Sequence, residues 1–254
     1  MSLLETNRVS KSFGGVRALD SVDFSVAQGE IAGLIGPNGA GKTTFFNCVT
    51  GLYPPTSGNI VFQGRQINGR RPDEIVNLGI ARTFQSIRLF YEMTVLENVL
   101  VGFHGKTKCG VPGAIFRPGW VKEEENRIRE QAVKYLDFVG LCEHQNTVAK
   151  NLAYGLQRRL EIARALATDP VLLFLDEPAA GMNPVEVVDL MNLIKRINES
   201  GITVLLIEHH MRVVMGICRR IVVLDYGTKI AEGTPEEISS NPTVIEAYLG
   251  KVNA

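Results

Sequence analysis

The chain has 254 residues, 45% of them hydrophobic and 21% charged, enough apolar material for a substantial core. Lysine plus arginine and aspartate plus glutamate each total 27, so no basic excess points to nucleic acid. The longest apolar runs, such as Val171–Leu175, fall far short of the ~20 residues a membrane-spanning helix needs, so any membrane role is expected through a partner.

The N-terminus has no charged head leading into a long apolar run, and no signal peptide is expected. Cys48, Cys109, Cys142 and Cys218 are scattered and form no CxxC pair. Buried or idle thiols are expected rather than metal ligands, which suits a reducing cytoplasm.

In chain order, Val22–Val26 alternates apolar and polar side chains, the pattern of a half-exposed strand. Ile31–Ile35 is apolar throughout, as a strand covered on both faces is. Thr44–Val49 is competent to form a helix, and Ile60–Gln63 runs into Gly64 as a strand meeting a turn. Residues 103–120, rich in glycine and proline, read as a loop. Lys122–Val139 then reads as one helix carrying Ala132, Val133, Leu136 and Val139 on one face. Val171–Leu175 and Thr203–Ile207 are two further apolar strands, separated by a helical pattern over Val185–Asn198. Strands alternating with helices predict a largely parallel α/β core. The strand-free stretch 121–168 predicts a helical insertion at about 86–160 within a single domain, 1–254. No internal repeat or low-complexity tract interrupts this order.

Gly36-Pro37-Asn38-Gly39-Ala40-Gly41-Lys42-Thr43 matches the P-loop pattern GxxxxGK[ST], after a buried strand and before a helix. Glycines let consecutive backbone N–H groups converge on phosphate oxygens, and the helix N-terminus adds partial positive charge. Lys42 is expected to reach the β- and γ-phosphates of ATP, the Thr43 hydroxyl to ligate Mg²⁺, and Thr44 to complete the cradle. A second metal anchor belongs at the end of another core strand, where Val171–Leu175 runs into Asp176 and Glu177. Adjacent residues on an extended chain point in opposite directions. Asp176 is therefore assigned to Mg²⁺ and Glu177 to polarising the attacking water.

Lys42 and Asp176, with a helical insertion between them, resemble the ATP-binding-cassette (ABC) ATPase family over essentially the whole chain. The resemblance implies a P-loop NTPase core with a mostly parallel sheet, an N-terminal antiparallel β subdomain and an inserted α-helical subdomain. Asn151–Arg159, followed by Leu160–Leu166, stands where the family has its Leu-Ser-Gly-Gly-Gln signature. Leu152 and Gly155 match it. Ala153, Tyr154 and Leu156 replace serine, the first glycine and glutamine. The family's signature caps the γ-phosphate of ATP held by the opposite subunit, so Gly155 is implied to act in trans. Ala153 cannot offer the hydroxyl, a bond worth roughly 1.5–3 kcal/mol.

The same resemblance implies that Gln85 touches Mg²⁺ and the attacking water. It makes His209 the switch histidine at the γ-phosphate and Phe13 the aromatic that stacks on adenine. His210 is implied to be structural. Asn183, in Ala180–Pro184, replaces an aspartate of the loop that crosses the dimer interface. Lys11–Val16, Ala81–Gln85, Leu152–Gly155 with Arg158–Glu161, Gly233–Ile238 and Ala247–Gly250 resemble the motor subunits of prokaryotic branched-chain amino-acid importers. That branch implies a second ATPase subunit, identical or a sister, two integral-membrane permease subunits and, indirectly, a solute-binding protein, with the motor on the cytoplasmic face of the membrane. Leu89–Thr94 is expected to help dock the permease. A related exporter motor, an importer motor for another small solute, a soluble ABC protein of DNA repair or translation, and a non-hydrolysing nucleotide-binding regulatory module are the rival readings.

Overall fold

The computed structural model describes residues 2–107 and 119–249. Two compact units emerge, one made of 1–82 with 171–254, the other of 83–170. Cys109, the centre of the loop read at 103–120, and Gly250 lie outside the described residues.

The first unit holds two sheets. Strands β1 (Ser2–Phe13), β2 (Val16–Ala27), β4 (Ser57–Phe62) and β5 (Arg65–Gln66) form an antiparallel sheet in the order β2-β1-β4-β5. The second sheet contains β3 (Ile31–Ile35), β6 (Ile80–Arg82), β7 (Leu172–Asp176), β8 (Thr203–Ile207), β9 (Arg220–Asp225) and β10 (Thr228–Gly233). Its order is β10-β9-β3-β8-β7-β6, with only the β9–β10 pair antiparallel. β3, β7 and β8 are buried along their whole length, as continuous apolar runs require. β1 and β6 have no clear apolar signature. Ser2–Phe13 mixes polar and apolar residues without a steady period, and β6 has three residues, too few to show any period.

Helix α1 (Lys42–Val49) follows β3, and α2 (Pro72–Asn77) precedes β6. The Phe46 ring of α1 meets Phe174 of β7 edge-on, centroids 4.5 Å apart, a contact worth about 0.5–1.5 kcal/mol beyond its burial.

In the second unit, α3 (Val95–Gly102), α4 (Gly119–Phe138) and α5 (Tyr154–Leu166) carry the core. Thr94 and Glu97 form a capping box at the start of α3. A Cβ on Gly102 would lie 2.5 Å from the Arg164 carbonyl, so α3 and α5 can approach this closely only with glycine there. Ala132, Leu136 and Val139 are buried and Val133 half-buried, so the apolar stripe read from sequence faces the core. The unit runs over 83–170, and α5 crosses Leu160 without a break.

Returning to the first unit, α6 (Pro184–Glu199) lies between β7 and β8, and α7 (Met211–Ile217) between β8 and β9. Helices α8 (Pro235–Ser239) and α9 (Pro242–Leu249) close the described chain. No described helix is long and apolar enough to cross a membrane.

Candidate nucleotide site

Three neighbouring parallel strands end at one edge of the larger sheet. Leu34 and Asp176 both pair with Ile207, so the P-loop after β3, the carboxylates at the end of β7 and the histidines after β8 share that edge. Ligands of open α/β sheets bind outside the carboxyl ends of the strands.

The loop over Gly36–Gly41 holds its shape through backbone conformations closed to other residues. Gly36 has φ +150°, and a Cβ there would stand 2.1 Å from the Leu224 carbonyl oxygen. Gly41, the N-cap of α1, has φ +100° and lies close to the Ala18 carbonyl. A glycine cap offers no side chain, and no acidic residue occupies the first turn of α1, so its amides are not claimed by a carboxylate. Asn38 and Gly39 are exposed at the tip, Pro37 is half-buried and Ala40 buried. Thr43 is exposed and Thr44 half-buried on the first turn of α1.

Lys42 is only 6% exposed. Its Nζ donates to the carbonyls of Gly36 at 2.7 Å and Pro37 at 2.9 Å. Burial pushes its pKa below the ordinary lysine value, and the charges of Glu177 and Asp176 partly oppose that shift. A nearly buried cation beside a glycine-lined loop and uncapped helix amides fits a polyphosphate. The Thr43 hydroxyl and Asp176 carboxylate are hard oxygen donors of the kind Mg²⁺ takes when phosphates and water supply its other ligands.

Asp176 and Glu177 diverge, but through a twist of the backbone. Asp176 is the last residue of β7 and its Oδ2 accepts from Arg82 at 2.8 Å. Glu177 lies beyond the strand at φ +47°, a left-handed conformation, and its carboxylate turns to His209, whose Nε2 stands 2.7 Å away.

Glu208, absent from the sequence-derived site, is buried between the two loops. Its carboxylate accepts from the amides of Ala179 at 2.7 Å, His209 at 2.9 Å and His210 at 3.1 Å. The local signal was an acidic residue directly after an apolar strand. His210 is exposed and is the N-cap of α7 without a side-chain bond.

Phe13 ends β1 and is 43% exposed. Tyr53 meets it edge-on at 5.3 Å, and the Lys11 ammonium lies 5.0 Å from the Phe13 centroid. Lys11 and Tyr53 belong with Phe13 as a cluster, of which Tyr53 comes from 40 residues along the chain.

Two sequence-derived site residues belong to the second unit. Gln85 is exposed, and its carbonyl accepts from Arg158 at 2.9 Å. Arg158 also donates to the Phe84 carbonyl at 2.7 Å and to Glu161 at 2.7 Å. Glu161 in turn accepts from the amides of Phe84 and Arg88. This buried pair therefore grips the segment carrying Gln85 from α5. Gly155 is buried in the first turn of the same helix, whose N-cap Ala153 makes no side-chain cap. Asn183 caps α6, its Oδ1 accepting from Val185 and Glu186. Phe90, Tyr91 and Met93 are exposed large apolar residues of the second unit.

A family described as ABC transporter matches residues 19–180, more than half of the chain. The chain belongs to the ABC transporter family. Within this ABC protein, residues 228–252 match a second family, described as branched-chain amino acid ATP-binding cassette transporter. The high-affinity branched-chain amino acid transport ATP-binding protein LivG of Salmonella typhimurium is 49% identical over 250 residues, covering 98% of each chain. The solved structure of a nucleotide-free ATP-binding cassette from an ABC transporter aligns with a TM-score of 0.87 at 36% identity, over 99% of this ABC chain and 100% of that one. A dimeric ATP-binding cassette bound to ADP and Pi aligns with a TM-score of 0.75 at 27% identity, over 91% and 98%.

Proposed function

We infer that this chain is the ATP-hydrolysing motor subunit of an ABC importer for branched-chain amino acids. The observation that carries the reading is the common edge of β3, β7 and β8, at which the P-loop with Lys42, Asp176 and the Glu177–His209 pair stand. Likeness to LivG along the full chain supports the choice of solute.

In this reading Gly36–Thr44 wrap the phosphates of ATP, Lys42 leaves its two carbonyls for β- and γ-oxygens, and Phe13 stacks on the base. Thr43 and Asp176 would hold Mg²⁺, which neutralises charge across the phosphates when bound. Glu177 orients and deprotonates the attacking water, and His209 fixes the Glu177 carboxylate and senses the γ-phosphate. The uncapped first turn of α5, with Gly155, faces the nucleotide of a second ATPase subunit, whether identical or a sister. The dimeric cassette with ADP and Pi supports such pairing.

Phe90, Tyr91 and Met93 dock one of two permease subunits, at the cytoplasmic face of the membrane, and a solute-binding protein delivers the amino acid. Vesicles reconstituted with the chain, its permease subunits and its binding protein test the function. ATP-dependent uptake of leucine, isoleucine or valine, abolished by Glu177→Gln, is the expected result. Uptake that persists in the variant, or nucleotide binding without turnover in the parent, contradicts it.

A further inference from the structure

We propose that Arg82 is the positioning residue of the metal site, locking the Asp176 carboxylate to the face of α1 that carries Thr43. The proposal rests on the reading of Asp176 as the magnesium carboxylate.

Arg82 is the last residue of β6, an edge strand paired in parallel with β7. Its side chain is 8% exposed and that of Asp176 2%. One arm of the guanidinium, Nη2, donates to Asp176 Oδ2 at 2.8 Å. The other, Nη1, donates to Asn47 Oδ1 at 2.5 Å and to Thr50 Oγ1 at 3.3 Å. The guanidinium carbon also lies 5.7 Å from the Phe46 ring centroid.

Asn47 and Thr50 follow Thr43 by four and seven residues, so all three share one face of the helix and its cap. A single rigid fork thus spans from the end of β7 to the row headed by Thr43. Both oxygen donors of the metal site are referred to one frame. Lysine would supply charge but could not reach both sides at fixed geometry. A buried ion pair adds little net stability compared with apolar packing, so defined geometry is the better account of this one.

Metal-dependent nucleotide binding should therefore need Arg82, whereas metal-free binding by the P-loop should not. The test is calorimetric titration of AMP-PNP, with EDTA and with Mg²⁺, on the parent, Arg82→Gln, Arg82→Lys and Asp176→Asn. The parent and Asp176→Asn establish the affinity gained from Mg²⁺ and its loss. Arg82→Gln is expected to lose about tenfold or more of that gain, the usual effect of removing an outer-shell partner, with unchanged affinity in EDTA. Arg82→Lys keeps the charge and should lose the gain in part, so it carries the test if Arg82→Gln does not fold. The proposal is overturned if both variants keep the full gain, or if affinity falls equally with and without metal. If the parent gains nothing from Mg²⁺, or Asp176→Asn retains the gain, the assignment of Asp176 falls and the role of Arg82 with it.

Discussion

The imidazole of His209 stands 2.7 Å from the carboxylate of Glu177, Nε2 to Oε1, bridging the ends of β8 and β7. The contact joins a residue able to accept a proton from water to one able to hold it in place. Glu177→Gln is expected to lower steady-state phosphate release by about 10²–10⁴-fold, the contribution of a positioned general base. If the pair acts as a unit, adding His209→Ala to that variant costs little more, and measured rates of both single variants and the double variant decide this.

Glu177 holds φ +47°, a conformation costing a non-glycine residue roughly 1–2 kcal/mol. Glu177→Gly and Glu177→Ala both remove the carboxylate, but only glycine relieves the backbone. The glycine variant is therefore expected to melt higher than the alanine variant in thermal denaturation, although glycine usually destabilises.

The P-loop glycines should differ sharply in tolerance. Gly36→Ala forces a Cβ to 2.1 Å from the Leu224 carbonyl, so the loop must distort and nucleotide binding should be lost. A Cβ on Gly39 meets nothing within 4 Å, and Gly39→Ala bears only the strain of φ +82°. Its affinity for ATP is expected to stay far closer to the parent's in equilibrium titration.

Arg158 and Glu161 are 0% and 2% exposed and bonded at 2.7 Å. Arg158→Met leaves a buried carboxylate without its cation and is expected to cost about 3–5 kcal/mol in chemical denaturation. The double variant Arg158→Met/Glu161→Leu should recover much of that stability. It should still hydrolyse ATP slowly, because the carbonyls of Phe84 and Gln85 have lost their donor.

Burial raises the Cys48 thiol to about 11 and the Cys218 thiol to about 12, from an ordinary value of 9.0. Each folded-state value lies above the unfolded one, so each thiol's contribution is whole below pH 9 and fades as pH rises through the folded values. Urea midpoints should therefore decline less steeply above pH 9 in the Cys48→Ala/Cys218→Ala variant than in the parent.

Contiguous chemistry was readable from the chain alone. The P-loop is eight consecutive residues between a buried strand and a helix, and Asp176-Glu177 closes an apolar run, so neighbours in sequence are neighbours in the site. Long apolar or periodic segments such as β3, β7, β8 and α6 were legible for the same reason, since burial imprints composition on every residue of the element.

The partners of those residues were not. Arg82 lies 94 positions from Asp176, Arg158 lies 73 from Gln85, and Tyr53 lies 40 from Phe13 along the chain. Such pairings carry no local period. They arise when strand order places β6 beside β7, or when a helix is laid along a distant loop. The separate partners of Asp176 and Glu177 likewise follow a left-handed residue after the strand, a conformation that strand alternation does not describe. Residue type told which chemistry was available; packing chose which groups meet, because hydrogen bonds and ion pairs act over a few ångströms of space whatever the separation in sequence.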